Sequence, residues 1–174
     1  ATAYMDSTPM VAITGNVTRP LLGKDSFQEV DITGITMPIT KHNYIVKDIK
    51  ELQKIVNEAF YIASSGRPGP VLIDIPKDIT AEKYNYTKME PKKREKSLQT
   101  INISSLEDFV EFINESENPF IYAGGGILSS NAEKEVLALA EKINAPVATS
   151  LMGIGSIPND HRLYTGMIGM HGTK

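Results

Sequence analysis

Short apolar runs alternate along this chain with longer stretches of 3.6-residue periodicity. Met10–Thr14 (MVAIT), closed by Gly15, predicts a buried strand. Residues 16–34 show no regular pattern and contain Pro20, Gly23 and Gly34. Residues 35–46 (ITMPITKHNYIV) favour β structure, with Pro38 confining them to an edge or an interrupted strand. Asp48 predicts a helix N-cap, and Glu51 three residues on completes a capping box. Ile49, Leu52, Ile55, Val56, Ala59, Phe60 and Ala63 then share one helical face, and Gly66 ends the helix. Val71–Ile75 (VLIDI) predicts the next strand.

Residues 79–103 break the rhythm. The stretch KYNYTKMEPKKREKSLQT is polar, basic and without periodicity, so it reads as a linker with a domain boundary near residue 95. Its KKREK cluster has no aromatic platform or basic helix beside it, which favours a solvated connector over a phosphate contact. Ser104 and Glu107 then predict a second capping box, opening a helix with Leu106, Phe109, Val110 and Ile113 inward. Phe120–Ala123 predicts a strand, Ala132–Ile143 a helix carrying Val136, Leu137, Ala140 and Ile143, and Pro146–Thr149 a further strand. Strand, helix, strand at this spacing is a βαβ unit, which implies a parallel sheet. The expected fold class is α/β, with parallel sheets and flanking helices.

Composition narrows the class without choosing a function. The chain has 174 residues, 41% hydrophobic and 22% charged, ordinary for a globular protein. A net charge of −3 gives no drive toward nucleic acid or membranes. No cysteine is present, so disulfides and thiolate metal sites are excluded, and a reducing cytoplasm is compatible. No apolar run approaches the roughly 20 residues of a membrane span. The start, ATAYMDSTP, lacks the basic patch and apolar core of a signal peptide. Ala1–Met5 reads as the last turn of a helix, and GMIGMHGTK as a glycine-rich loop, so a middle portion of a longer chain is expected.

The candidate chemistry lies in loops after strands. FIYAGGGILSSNAEKE places Gly124, Gly125 and Gly126 between a strand and a helix, where free N–H groups suit a phosphate. The triple glycine is not GxGxxG, and no acid follows to hold a ribose, so a tight turn explains it equally well. LMGIGSIP supplies a second glycine-containing loop at a strand's carboxyl end. His42, His161 and His171 lack ligand-like spacing, which argues against a transition-metal site. Neither a GxSxG elbow nor a thiol nucleophile is present. The residues by themselves support an α/β protein with a nucleotide-binding option.

Six stretches carry a resemblance further: ITGNV, DSFQEVDITGIT, PITKHNYIV, EAFYIASSGRPGPVLIDIPKDI, YAGGGI and IGMHG. In order, and over essentially the whole length, they resemble the large catalytic subunit of acetohydroxyacid synthase (acetolactate synthase). That family is thiamine diphosphate-dependent, with Mg2+ and FAD as further cofactors. The resemblance implies that residues 1–88 are the later part of a pyrimidine-binding domain. Residues 89–103 would be a linker, and residues 104–174 the first part of a Rossmann-like central FAD-binding domain. It implies condensation of two pyruvates, or of pyruvate and 2-ketobutyrate, with decarboxylation. It also implies a homodimer or higher oligomer, a regulatory small subunit, and a cytoplasmic location.

The same resemblance suggests roles for residues. Phe27 and Gln28 match the family's pair near the active centre, an apolar wall and a hydrogen-bonding amide. Lys77 matches a lysine whose cation attracts a keto-acid carboxylate. Arg67 matches the arginine of GRPGP that touches FAD. Gly124, Gly125 and Gly126 match glycines along the flavin nucleotide, followed by Ser150, Leu151 and Met152, then Gly169, Met170 and His171. No residue is assigned to a metal. The chain departs from the family's commoner pattern at Asn16, where glutamine is usual, and at Arg19 and Lys24. The activating glutamate and the GDG-type magnesium motif have no counterpart here, so the chain by itself is expected to be inactive and to bind the cofactors weakly or not at all. Two alternatives stand beside this reading: another thiamine carboligase or oxidase of the same architecture, and a non-catalytic nucleotide-binding module. Arg67 and Lys77 flank one predicted strand and would lie up to roughly 30 Å apart if the chain is extended, which argues against one shared site.

Overall fold

The computed structural model describes residues 1–92 and 102–172. The chain divides into two compact units, Ala1–Leu98 and Gln99–Lys174. The expected boundary near residue 95, and most of the KKREK cluster, lie outside the described residues.

The first unit contains α1 (Thr2–Met5), β1 (Met10–Asn16), α2 (Ile32–Thr36), β2 (His42–Ile45), α3 (Ile49–Ser64), β3 (Pro70–Pro76) and α4 (Lys77–Ala81). Its three strands are parallel in the order β1-β3-β2. β3 is the centre, and six of its seven residues are buried. A strand covered on both faces needs an apolar run rather than alternation, and VLIDI provides it with one exception, Asp74. Pro70 is tolerated because it opens the strand, where a missing N–H breaks little of the ladder.

One face of this sheet packs on α3. Val71 and Ile73 meet Ile55, Ala59 and Ala63 there, with Val46 and Ile79 completing the cluster. Burying a side chain such as Ile73 contributes about 1.5–3 kcal/mol. Asp48 caps α3 by accepting from Lys50 N–H at 2.9 Å. The reciprocal Glu51 half of the expected box is not formed among the described hydrogen bonds. Phe60, assigned to the inward face, is 62% exposed. It sits at the margin of the apolar stripe, over a sheet only three strands wide. α2 touches β2 on the other side, where Thr36 Oγ1 donates to Asn43 Oδ1 at 3.0 Å.

Two strand expectations are corrected. MVAIT is an edge strand rather than a buried one: no residue of β1 is buried, and Ile13 is 65% exposed. It pairs on one side only, so half its surface lacks cover. The predicted strand over 35–46 shrinks to His42–Ile45. Asp31 caps α2 by accepting from Gly34 N–H, and Met37–Ile39 forms a 3-10 turn around Pro38.

The second unit contains α5 (Ile103–Asn114), β4 (Ile121–Ala123), α6 (Gly126–Ser130), α7 (Glu133–Ile143), β5 (Val147–Thr149) and β6 (Tyr164–Met167). Its strands are also parallel, in the order β4-β5-β6. Ala123, Ala140, Val147, Ile157 and Leu163 form its core. The expected βαβ unit is present, extended by α6 and β6, which the pattern did not indicate. β6 takes in Gly166 and Met167 from the stretch read as loop. The cap of α5 is Asn102, accepting from Ser104 N–H at 3.2 Å, rather than Ser104 itself. The inward face expected for α5 is not buried: Leu106, Phe109 and Val110 are each about half exposed. The core of this unit is built from α7, the strands and the segment before β6, and α5 contributes no residue to it. Among the described residues, no helix is long and apolar enough to cross a membrane.

Candidate functional site

Ligands of open parallel sheets collect at the carboxyl ends of the strands. In the first unit that edge is marked by Asn16, Ile45 and Pro76, the last residues of β1, β2 and β3. Lys77 follows Pro76 directly and begins α4, with its side chain exposed. Among the described residues its ammonium has no ion-pair partner.

Phe27 and Gln28 lie in the loop between β1 and α2. Phe27 is 87% exposed. Gln28 has φ 63°, a left-handed conformation that costs a non-glycine residue roughly 1–3 kcal/mol unless its surroundings enforce it. The enforcement comes from Glu29, which sequence reasoning missed as a contributor. Its carboxylate accepts from Ser26 N–H and Ser26 Oγ at 3.0 Å each, from Lys24 N–H at 3.3 Å, and from Gly23 N–H. The Ser26 backbone bond is the main cause holding the Glu29 carboxyl below its ordinary pKa, with Gly23 and Lys24 adding to it. The acid of the FQE string therefore staples the loop that presents Phe27 and Gln28.

Asp74 is the carboxylate within the apolar run of β3. It is fully buried. Thr14 Oγ1 donates to its Oδ1 at 2.7 Å, and Asn16 Nδ2 to its Oδ2 at 2.5 Å. Asn16 Oδ1 in turn accepts from Val17 N–H at 2.8 Å. A buried carboxylate needs such partners, and here they fix the point where β1 ends and its loop begins. The departure at Asn16 thus has a local function: the shorter amide spans Asp74 and Val17.

Arg19 was singled out only as a departure. Its backbone N–H and Nε donate to the two oxygens of Asp78 at 3.0 and 2.6 Å, and one terminal nitrogen donates to the Lys47 carbonyl at 2.9 Å. The other pairs with Glu82. The side-chain bond to Asp78 raises the Arg19 pKa, and the same bond lowers that of Asp78.

Arg67 stands at the amino end of β3, so one strand separates it from Lys77. Its guanidinium donates to Ser7 Oγ at 2.7 Å and to the Met5 carbonyl at 3.2 Å. Nearby, Lys41 donates to the carbonyls of Ile62 and Ser65 and closes the carboxyl end of α3. Burial lowers the Lys41 pKa. The Lys41 stem also explains Gly69, whose Cβ would sit 3.0 Å from Lys41 Cδ.

In the second unit, all three candidate loops share one edge. Gly124–Gly126 follows β4, Ser150–Met152 follows β5, and Gly169–His171 follows β6. Ser150 N–H donates to the Ala123 carbonyl at 2.9 Å, which ties the first loop to the second. The three glycines then separate by purpose. A Cβ on Gly125 would meet Met152 Cβ at 2.9 Å, so packing requires that glycine. Gly124 and Gly126 have nothing within 4 Å and φ values that any residue adopts. Packing does not require them, and a close-approaching ligand would. Gly153, adjacent to the candidate set, is the tightest: its Cβ would lie 2.2 Å from the Ala123 carbonyl oxygen. Met170 is 94% exposed, and Gly169 has φ 134°. Among the described residues, no group of three or more His, Asp or Glu could hold a metal ion.

Each unit is by itself an α/β fold with a parallel sheet, its loops gathered at the carboxyl ends of the strands, where such sheets place ligands. Residues 106–174, within the second unit, match the family described as thiamine pyrophosphate enzyme, central domain. Along 99% of its length the chain is homologous to acetolactate synthase large subunits. It is 48% identical over 179 residues to that of Cyanidium caldarium, 46% over 177 to that of Porphyra purpurea, and 48% over 181 to that of Parasynechococcus marenigrum (strain WH8102). The chain spans 31%, 30% and 29% of the length of these three relatives.

Proposed function

We propose that this chain supplies two working parts of an acetolactate synthase: a keto-acid site in the first unit and a flavin-holding edge in the second. The reaction would join two pyruvates, or pyruvate and 2-ketobutyrate, with loss of carbon dioxide, in the cytoplasm. The observation that carries the reading is the clustering of candidates. Phe27 and Gln28 lie in the loop after β1 and Lys77 opens α4 directly after β3, at one carboxyl edge, and nine further candidates follow the strands at the other.

The residues divide the work by chemistry. Lys77 offers an uncommitted ammonium to a keto-acid carboxylate. The Gln28 amide hydrogen-bonds a substrate oxygen, and the Phe27 ring excludes water from the reacting carbon. The ring is exposed in this chain, so the rest of a longer subunit, or a second subunit, would close over it. Thiamine diphosphate, when bound, supplies the electron sink for decarboxylation and carbon–carbon bond formation. No residue of this chain is assigned to Mg2+.

The second unit fits FAD through the open backbone at Gly124 and Gly126, with Ser150–Met152 and Gly169–His171 beside it. Arg67 enters as a flavin contact through the resemblance alone. The test is a segment exchange. These 174 residues replace the homologous segment of the Cyanidium caldarium large subunit, and acetolactate formation from pyruvate is measured. Turnover dependent on thiamine diphosphate is expected. A folded exchange subunit that forms no acetolactate would overturn the reading. The 174-residue chain alone is expected to turn over no pyruvate.

A further inference from the structure

Three loops leave the carboxyl edge of the first sheet, and one side chain reaches all of them. Arg19 lies in the exit of β1, which leads on to Phe27 and Gln28. It binds Lys47 at the exit of β2, and Asp78 in the first turn of α4 at the exit of β3. Its last contact, Glu82, lies just beyond α4. These partners are 28, 59 and 63 residues away in sequence, so no local propensity brings them together.

α4 needs such a hold. It has five residues and no side-chain N-cap, and Ile79 is its buried anchor. Lys77 and Asp78 are successive residues of its first turn. Both oxygens of Asp78 are engaged by Arg19, through the backbone N–H and through Nε. Asp78 thus ties the first turn of α4 to Arg19, while Lys77, whose side chain leaves the helix in another direction, pairs with nothing described. A lysine in place of Arg19 would keep the charge but lose the planar fork that spans several acceptors.

We infer that Arg19 is a positioning residue that joins the Phe27–Gln28 loop to α4 and so holds the Lys77 ammonium in place for an anionic, carboxylate-bearing ligand. The functional half rests on the keto-acid reading above; the mechanical half does not. Hydrogen exchange on the 174-residue chain tests the mechanical half. Arg19→Ala should speed exchange at least tenfold in both 17–31 and 77–82, leaving 49–64 unchanged. Arg19→Lys should give an intermediate increase, and it serves if the alanine variant folds poorly. Loosening of one segment without the other overturns the clasp.

Kinetics in the segment-exchange subunit test the functional half. Arg19→Ala should raise the pyruvate KM at least tenfold while lowering kcat no more than threefold. Asp78→Asn should shift KM in the same direction, because it frees the guanidinium from α4. A merely structural Arg19 would lower the amount of active enzyme and leave KM in place, which overturns the assignment. If the unaltered exchange subunit is inactive, the functional half falls with the reading, and the exchange rates still decide the clasp.

Discussion

Gly153→Ala is the sharpest probe of the second unit's edge. The added Cβ would lie 2.2 Å from the Ala123 carbonyl oxygen and 3.0 Å from its carbon, and 3.2 Å from Gly124 C. All three are backbone atoms, so no side chain can turn away, and the β4 and β5 loops must part by about 1 Å to restore ordinary contact. Overpacking of this kind costs about 1–3 kcal/mol. The movement also pulls on the Ser150–Ala123 hydrogen bond, 2.9 Å long, whose loss adds about 0.5–1.5 kcal/mol. A total of about 2–4 kcal/mol corresponds to a roughly 30- to 700-fold rise in opening. Amide exchange reads each unit separately, which a single melting curve of a two-unit chain does not. Val147 and Thr149 amides should lose protection by that factor, while Val71 and Ile73 keep theirs. Gly126→Ala has no neighbour to displace and should leave protection within about threefold, since its change in stability stays near 0.5 kcal/mol. Unaltered Val147 protection in Gly153→Ala would refute the packing argument. In the segment-exchange subunit, Gly124→Ala and Gly126→Ala should still fold but retain less FAD.

Further outcomes follow from the first unit. Asp74→Ala orphans the Thr14 hydroxyl and the Asn16 amide, and should cost about 2–4 kcal/mol, measured by loss of Val71 and Ile73 protection. Lys41→Met leaves the last carbonyls of α3 uncapped, and should cost about 1 kcal/mol, read as faster exchange in the final turn of that helix. The Glu29 pKa is lowered in the fold, so its staple is fully present above the ordinary glutamate value and is lost as pH falls through the depressed one. The amide resonances of Gly23, Lys24 and Ser26 should therefore titrate together with one midpoint below about 4.3. Independent midpoints, or none, would remove Glu29 from that role.

The sequence was most legible where one physical rule dominated. The α3 stripe and the VLIDI run are set by burial, and both formed as their spacing implied apart from the exposed Phe60. It was least legible where tertiary pairing decided. Tyr164–Met167 carries a glycine and little periodicity, and it is a strand because β5 lies beside it. Residues 32–39 contain β-favouring side chains, yet an Asp31 cap and Pro38 turned them helical. The amphipathic pattern of α5 correctly gave a helix but not its surroundings, since periodicity says which face is apolar and not what covers it. At the site, the loops were placed by motif, whereas their supports were not. Arg19 and Asp78 act through contacts between loops and Glu29 through contacts within one, and neither they nor Asp74 carry a local pattern that marks such a role.

The most direct measurement of the central claim is acetolactate formation by the segment-exchange subunit, compared with its Gln28→Ala and Lys77→Ala variants. The account predicts turnover of pyruvate that requires thiamine diphosphate. It predicts that each variant loses at least about tenfold in kcat/KM, as expected when a polar contact worth about 1.4 kcal/mol or more is removed from the transition state. A folded, flavin-containing exchange subunit whose turnover is indifferent to both substitutions would contradict it.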